Sequence, residues 1–326
     1  MIQFDTSGLL PHERFDHWCE VRARNLFGVT IELARERRPA FSGRFSARMV
    51  GQSTLAEMEA SSYRVSRTKQ DIARVTGDSL CIGLQIRGPG WLDTGRDRVS
   101  FIDEGALALS FSDLPMAGTP QRADGFLFRT VKIPLAALDS PVKGLRDLAA
   151  APLPATSKYT RLALASFNAL AQRPPDAVDA DLAVSHLAQL ALLARGSATP
   201  GMPESRAALH TGYRHAAHEL IMRNLHRPDL TPAMVAAWLG VSIRQLHLVF
   251  EPTGKSVART MTALRLTEAR RRLAAMPDQQ VADIALACGF DSIATFYRVF
   301  RSTFGMTPTE CRLADLGGWS IRAGTP

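Results

Sequence analysis

Arginine, histidine and glutamine carry donors that match the edges of nucleic-acid bases, and this chain sets them out in two short stripes. Arg244, Gln245 and His247 form the first; Thr295, Tyr297, Arg298 and Arg301 form the second, about 50 positions later. Arginine can grip guanine O6 and N7 with two hydrogen bonds, glutamine can do the same for adenine, and each can pair with phosphate instead. Ser242 and Ser292 stand just ahead of the stripes, where a serine caps a helix and stays within reach of a phosphate. The chemistry implied is recognition, with no bond made or broken.

Side chains that read a surface need elements to aim them. In Val235–Ala236–Ala237–Trp238–Leu239 an apolar helical pattern stops at Gly240, and in Ile284–Ala285–Leu286–Ala287–Cys288 it stops at Gly289. Glycine takes the left-handed geometry that ends a helix, and the serine two or three residues on starts the next one. Each copy therefore predicts a helix-turn-helix, whose second helix commonly enters the DNA major groove. Ile243, Leu246 and Phe250 share one expected buried face, and Ile293, Phe296 and Phe300 repeat it in phase. The outward stripes then align as Arg244, His247, Leu248 and Glu251 against Ala294, Tyr297, Arg298 and Arg301. Leu248 offers only an apolar contact and Glu251 repels phosphate, so the second helix is expected to be the stronger reader.

Between the copies, Ser256 to Met276 contains neither glycine nor proline and is closed by Pro277. About 20 helical residues span roughly 30 Å, close to the ~34 Å of one DNA turn. The stretch reads as a spacer that sets two reading helices into successive major grooves.

Residues 210–314 resemble the DNA-binding domain of the AraC/XylS family of bacterial transcription regulators. The resemblance rests on Leu230–Thr231 with Val235–Ala236, on Gly240 to Leu246, on Arg265 to Arg270, and on Val281 to Phe290. Phe300–Arg301–Ser302–Thr303–Phe304–Gly305–Met306–Thr307–Pro308 is its most specific part. The resemblance implies an all-α domain with two helix-turn-helix motifs, a double-stranded DNA operator, and RNA polymerase as a partner.

The N-terminal part has a different texture. Residues 10–38 read as helix from Phe15 to Cys19 onward, with a short apolar strand at Gly28 to Leu33. Short strands are expected at Phe45–Val50, Thr54–Glu59, Tyr63–Arg67, Leu80–Ile86, Ala106–Phe111 and Phe126–Val131, with turn signals such as Gly88–Pro89–Gly90 between them. Such strands predict a small antiparallel barrel or jelly roll. Phe15–Trp18, Phe41–Gly43, Leu84–Gly90, Asp103–Leu107 and Lys132–Leu138 resemble the cupin-like sensor of an AraC/XylS subgroup that includes regulators of phenylethylamine and nitrophenol breakdown. A small-molecule effector is the implied ligand, its lining residues unassigned. Thr160–Ala171 and Asp181–Arg195 read as helices parted by Pro174–Pro175. Leu182, Leu187, Leu190 and Leu193 give the second an apolar side, for the barrel or for a second copy of the chain. The expected fold is thus α+β, with a cupin-like antiparallel barrel and flanking helices over 1–195, a linker over 196–208, and a double helix-turn-helix domain over 209–316.

The remaining chemistry is mostly excluded. The net charge is +8, and beyond residue 200 there are 15 Lys and Arg against 10 Asp and Glu, so more than half of the excess sits with the repeat. Cys19, Cys81, Cys288 and Cys311 show no metal-site spacing, which leaves packing in a reducing compartment. No leader pattern or membrane-length apolar run is found, so a cytoplasmic chain without a membrane partner is expected. Residues 41–133 lack histidine, against a metal site in the barrel. His210, His215 and His218 read as a helix face rather than as ligands. No nucleophile elbow or phosphate loop occurs, so neither an enzyme nor a cofactor is expected. Arg64 and Arg67 read as a solvated strand face rather than as an anion site, and Trp91, Phe111 and Phe128 as core rather than as a pocket lining. The rival readings are a DNA-binding regulator whose barrel serves only assembly, and an enzyme built on the barrel.

Overall fold

A computed structural model describes residues 1–21, 28–95, 97–138, 144–172 and 179–316. The chain divides into two compact units, Met1–Gly212 and Tyr213–Pro326.

The first unit is built on two antiparallel sheets. Its strands are β1 (Ile2–Asp5), β2 (Thr30–Glu32), β3 (Gly43–Val50), β4 (Ser53–Ala60), β5 (Arg64–Arg67), β6 (Ser79–Arg87), β7 (Gly90–Asp93), β8 (Val99–Ile102), β9 (Leu107–Phe111), β10 (Met116–Pro120), β11 (Phe126–Pro134) and β12 (Ala151–Pro152). One sheet runs β1-β3-β4-β11-β6-β9-β12 and the other β2-β5-β10-β7-β8. The cupin-like antiparallel architecture expected from the sequence is present, with its strands shared between two open sheets.

Alternation along the central strands explains the layering. Leu55, Val131, Ile82 and Leu109 lie in one register line across β4, β11, β6 and β9, and all are buried. Helix α4 (Ala180–Arg195) packs on this sheet through β3 and β6, and α3 (Lys158–Gln172) packs on α4. Side chains one position along each strand point the other way. On β3 and β4 that opposite face meets helix α1 (Arg14–Cys19), where Phe15, Trp18, Phe41, Phe45, Met58 and Tyr63 form an aromatic core. Phe15 stands edge-on to Phe41 with ring centroids 5.4 Å apart. Of the helix expected from residue 10, α1 is present and runs on as a wider helical turn at Glu20 and Val21; the strand expected at Gly28 to Leu33 is β2, a 3-10 stretch occupies Arg35–Ala40, and residues 22–27 lie outside the described residues. Helix α2 (Lys69–Arg74) is fixed by a capping box in which Thr68 and Asp71 satisfy each other's backbone N–H.

Arg67 is not on a solvated face. It is 7% exposed and donates to the carbonyls of Gly28, Ser112 and Val75 and to the Asp113 carboxylate. Arg64, three positions earlier on β5, is exposed and pairs with Glu32. Burial alone raises the Asp113 pKa, but the N–H groups of Asp78 and Gly77 and the Arg67 guanidinium outweigh it and hold the carboxylate below its usual range.

The expected linker over 196–208 is helical from Pro203, the start of α5 (Pro203–Arg223). Its first turns belong to the first unit: Ser205 bonds Gln189 and the Thr199 carbonyl, and a Cβ on Gly212 would stand 2.9 Å from Leu190. The proline pair 174–175 lies outside the described residues. Leu187, Leu190 and Leu193 are buried, while Leu182 is exposed.

The second unit is helical: α6 (Pro232–Leu239), α7 (Ile243–Phe250), α8 (Val257–Ala275), α9 (Val281–Ala287), α10 (Ile293–Phe304) and α11 (Pro308–Leu316) follow the end of α5. It holds two small cores. Ile221, Leu230, Val235, Leu246 and Phe250 belong to one; Ile284, Phe290, Phe296, Phe300 and Cys311 belong to the other. Helix α8 serves both, giving Val257 and Met261 to the first and Leu266, Ala269 and Leu273 to the second. Its 19 residues span about 29 Å.

Candidate nucleic-acid interface and interior cavity

Each recognition element is assembled by local rules. Helix α6 starts at Thr231, whose side chain accepts from the Met234 N–H, and stops at Gly240 with φ +68°. Ser242 then caps α7, its hydroxyl accepting from the Gln245 N–H at 3.1 Å. The helix axes of Pro232–Leu239 and Ile243–Thr253 meet at 101°, within the range of a helix-turn-helix. In the second copy Gly289 has φ +79°, and the Ser292 hydroxyl accepts from the Thr295 N–H at 3.2 Å. Both serines are therefore engaged as caps.

The structure brings the sequence-derived stripes to the surface. Arg244, Gln245, His247, Leu248 and Glu251 are exposed on and just beyond α7, as are Ala294, Thr295, Arg298 and Arg301 on α10. Tyr297 is half-buried, its ring edge-on to Phe296 at 5.9 Å, so part of it is spent on packing. Ile243 departs from expectation: it is 48% exposed, and Val249 is buried in its place beside Leu246 and Phe250. The equivalent Ile293 is half-buried against the second core, so the exposure is particular to α7.

Several other cations of this unit are occupied. The Glu268 carboxylate accepts from Arg271 and Arg272; the Arg271 bond foremost, against burial and with help from Arg272, lowers its pKa to about 2. Arg265 donates to the carbonyls of Leu225 and Arg227, at 3.3 and 2.6 Å. Lys255 and Arg259, at the start of α8, are exposed cations that pattern reading passed over. His210, His215 and His218 lie along α5, and no group of three or more metal-ligating side chains occurs among the described residues. Among those residues, too, no single helix is long and apolar enough to cross a membrane.

The first unit contains a cavity of about 250 Å³ between its two sheets. Phe111 is core as expected, on the face of β9 that it shares with Leu109, and Trp91 on β7 is 47% exposed, so those two only border the cavity. Phe128, expected as core, turns its ring into it. The reason is the strand period: Phe128, Thr130 and Lys132 on β11 alternate with Arg129, Val131 and Ile133, and only the first set faces the space between the sheets. Cys81 also faces it. Burial pushes that thiol up to about 11, against the pull of Lys132 and Arg67, so it stays protonated near neutrality.

Comparison with known proteins follows the same division. Residues 61–191 match the sequence profile of an AraC-like ligand-binding domain, and residues 235–314 match that of a helix-turn-helix domain. The transcriptional activator NphR of Rhodococcus sp is 39% identical over 89 residues, which is 27% of this chain and 26% of that protein. The HTH-type transcriptional activator RhaS of Pectobacterium carotovorum is 33% identical over 92 residues, 28% of this chain and 33% of that protein. The matched segments thus span between a quarter and a third of these relatives' length. The crystal structure of the AraC-like transcriptional activator CuxR superposes with a TM-score of 0.51 at 19% identity, over 88% of this chain and 99% of that one. At that identity the likeness concerns the fold.

Proposed function

We propose, for a chain that joins an AraC-like ligand-binding domain to an AraC-type helix-turn-helix domain and so belongs to the AraC/XylS family, a role as a sequence-specific DNA-binding regulator of transcription. Its DNA affinity answers to a small-molecule effector held in the first unit. One observation carries most of the reading: two recognition helices expose polar stripes while their opposite faces are buried in cores that share α8. Arg298 is the principal base reader, with Arg301 on phosphate and Thr295 and Tyr297 beside them. Arg244, Gln245 and His247 supply the weaker second readout, and the caps Ser242 and Ser292 sit closest to the backbone. The reading makes the first unit a sensor and not an enzyme, and makes RNA polymerase the partner in an activating output.

An effector acts only through different affinities for two states of the protein. Selection of bound duplexes from a random pool by the full chain tests the DNA half of the reading. The expected result is one enriched sequence contacted over two segments about one helical turn apart, bound with steep salt dependence. A pool that stays random after repeated rounds, with the protein folded, refutes it.

A further inference from the structure

Helix α8 carries the two readers on different sides. Val257, Met261 and Leu264 pack into the first core, and Leu266, Ala269 and Leu273 belong to the second. At 3.6 residues per turn these two stripes face directions roughly 150° apart. The cores share no residue, so each half is held along one stripe of the same helix. Apolar packing is non-directional. It resists lifting a half off α8 better than it resists a small rotation about it.

Arg265 falls between the two stripes, with Leu264 before it and Leu266 after it. Its Nε donates to the Leu225 carbonyl at 3.3 Å and its Nη2 to the Arg227 carbonyl at 2.6 Å. Both carbonyls lie in the loop after α5, and the buried Leu225 side chain anchors that loop in the first core. From the second half, the turn at Gly289 closes on the same point. A Cβ there would stand 2.1 Å from the Leu225 carbonyl oxygen and 3.0 Å from Arg265 Nε. Phe290, the next residue, is buried in the second core. Burial lowers the Arg265 pKa, and Asp291 in the same turn pulls it back up. One planar side chain of α8 thus grips the loop of the first half while the turn of the second half seats on it and attracts it. A guanidinium bonded twice fixes an orientation, which packing alone does not.

We propose that Arg265 is a positioning residue: with Gly289 seated against it, it fixes the rotation of one reader relative to the other and sets the spacing accepted between the two operator segments. The inference rests on the reading of α7 and α10 as two readers of one duplex. The two donors it places go to carbonyls, so it acts through the helices it holds and not on DNA. Adding one base pair turns a segment by about 35° and moves it about 3.4 Å along the duplex. A fixed pair of readers cannot follow both displacements.

The test measures binding of the full-length protein, at one salt concentration, to three kinds of duplex. These are the selected operator, the same operator with one segment scrambled, and operators with one base pair inserted or removed between the segments. The unaltered chain is expected to favour the selected spacing. Arg265→Gln is expected to bind the single-segment duplex as the unaltered chain does. Its advantage on the two-segment operator should fall about 10-fold or more, the scale of one hydrogen bond to a charged group, and a one-pair shift should then cost little. Arg265→Lys keeps the charge and can reach one carbonyl, so it should fall between the two. Gly289→Ala disturbs the junction from the other half and should show the same pattern, which keeps the test open if Arg265→Gln fails to fold. A side chain that only satisfies two carbonyls predicts something else: a lower melting temperature, every duplex weakened in the same proportion, and spacing preference intact. That result overturns the proposal and leaves the two-reader reading standing. An unaltered chain that binds all spacings alike sinks both.

Discussion

At the residue scale, equivalent positions in the two helix-turn-helix copies carry different chemistry. Arg298 on α10 corresponds to Leu248 on α7, and Arg301 corresponds to Glu251; all four are exposed. Losing a bidentate base contact costs about 1–3 kcal/mol, and losing an apolar contact to a thymine methyl costs less. Arg298→Ala is therefore expected to weaken operator binding roughly 5- to 150-fold, and Leu248→Ala clearly less, when both are measured at one salt concentration. If Leu248→Ala proves the more damaging, the roles are reversed. Residue type alone misleads elsewhere. Arg64 and Arg67 look equivalent in the sequence, yet one is an exposed partner of Glu32 and the other a buried partner of Asp113. Arg67→Ala strands a buried carboxylate, so a loss of about 3–5 kcal/mol is expected in urea unfolding, against about 0–1 kcal/mol for Arg64→Ala. Equal losses would contradict the burial of the Arg67 pair.

At the element scale, the caps and stops of the repeat were legible because each is a local rule. Glycine ends α6, serine opens α7 and α10, and the spacer falls within one residue of its expected bounds at either end. The two glycines are nevertheless unequal. Both have positive φ, but a Cβ on Gly240 meets nothing within 4 Å, whereas one on Gly289 would stand 2.1 Å from the Leu225 carbonyl oxygen. Gly240→Ala is expected to cost about 1–2 kcal/mol, the left-handed penalty alone. Gly289→Ala adds a backbone clash of about 1–3 kcal/mol, because the chain at Leu225 is held there by Arg265. Thermal unfolding of the two variants side by side checks this, and equal shifts would show that the approach of Gly289 to Leu225 is not tight. The cavity was the part that pattern reading ranked below core packing. Both faces of β11 are rich in apolar side chains, Phe126 and Phe128 on one and Val131 and Ile133 on the other. Period-two alternation separates the faces without saying which one a helix covers and which one encloses space.

At the scale of the whole molecule, composition and charge carried less than the repeat. The excess of positive charge is modest, and much of it in the second unit is tied to carboxylates and carbonyls, as Arg265, Arg271 and Arg272 show. What distinguishes a DNA reader here is geometry: two short helices, each on its own small core, joined by a helix about 29 Å long. On the proposed reading, that length sets the spacing of the two readers against the ~34 Å turn of the duplex. The direct measurement is the affinity of the full-length protein for its selected operator before and after insertion of about 5 base pairs, half a helical turn, between the two contacted segments. The insertion turns one segment to the far side of the duplex. Affinity is expected to fall to that of a site with a single intact segment. Unchanged affinity across the insertion would contradict a pair of readers held in successive major grooves.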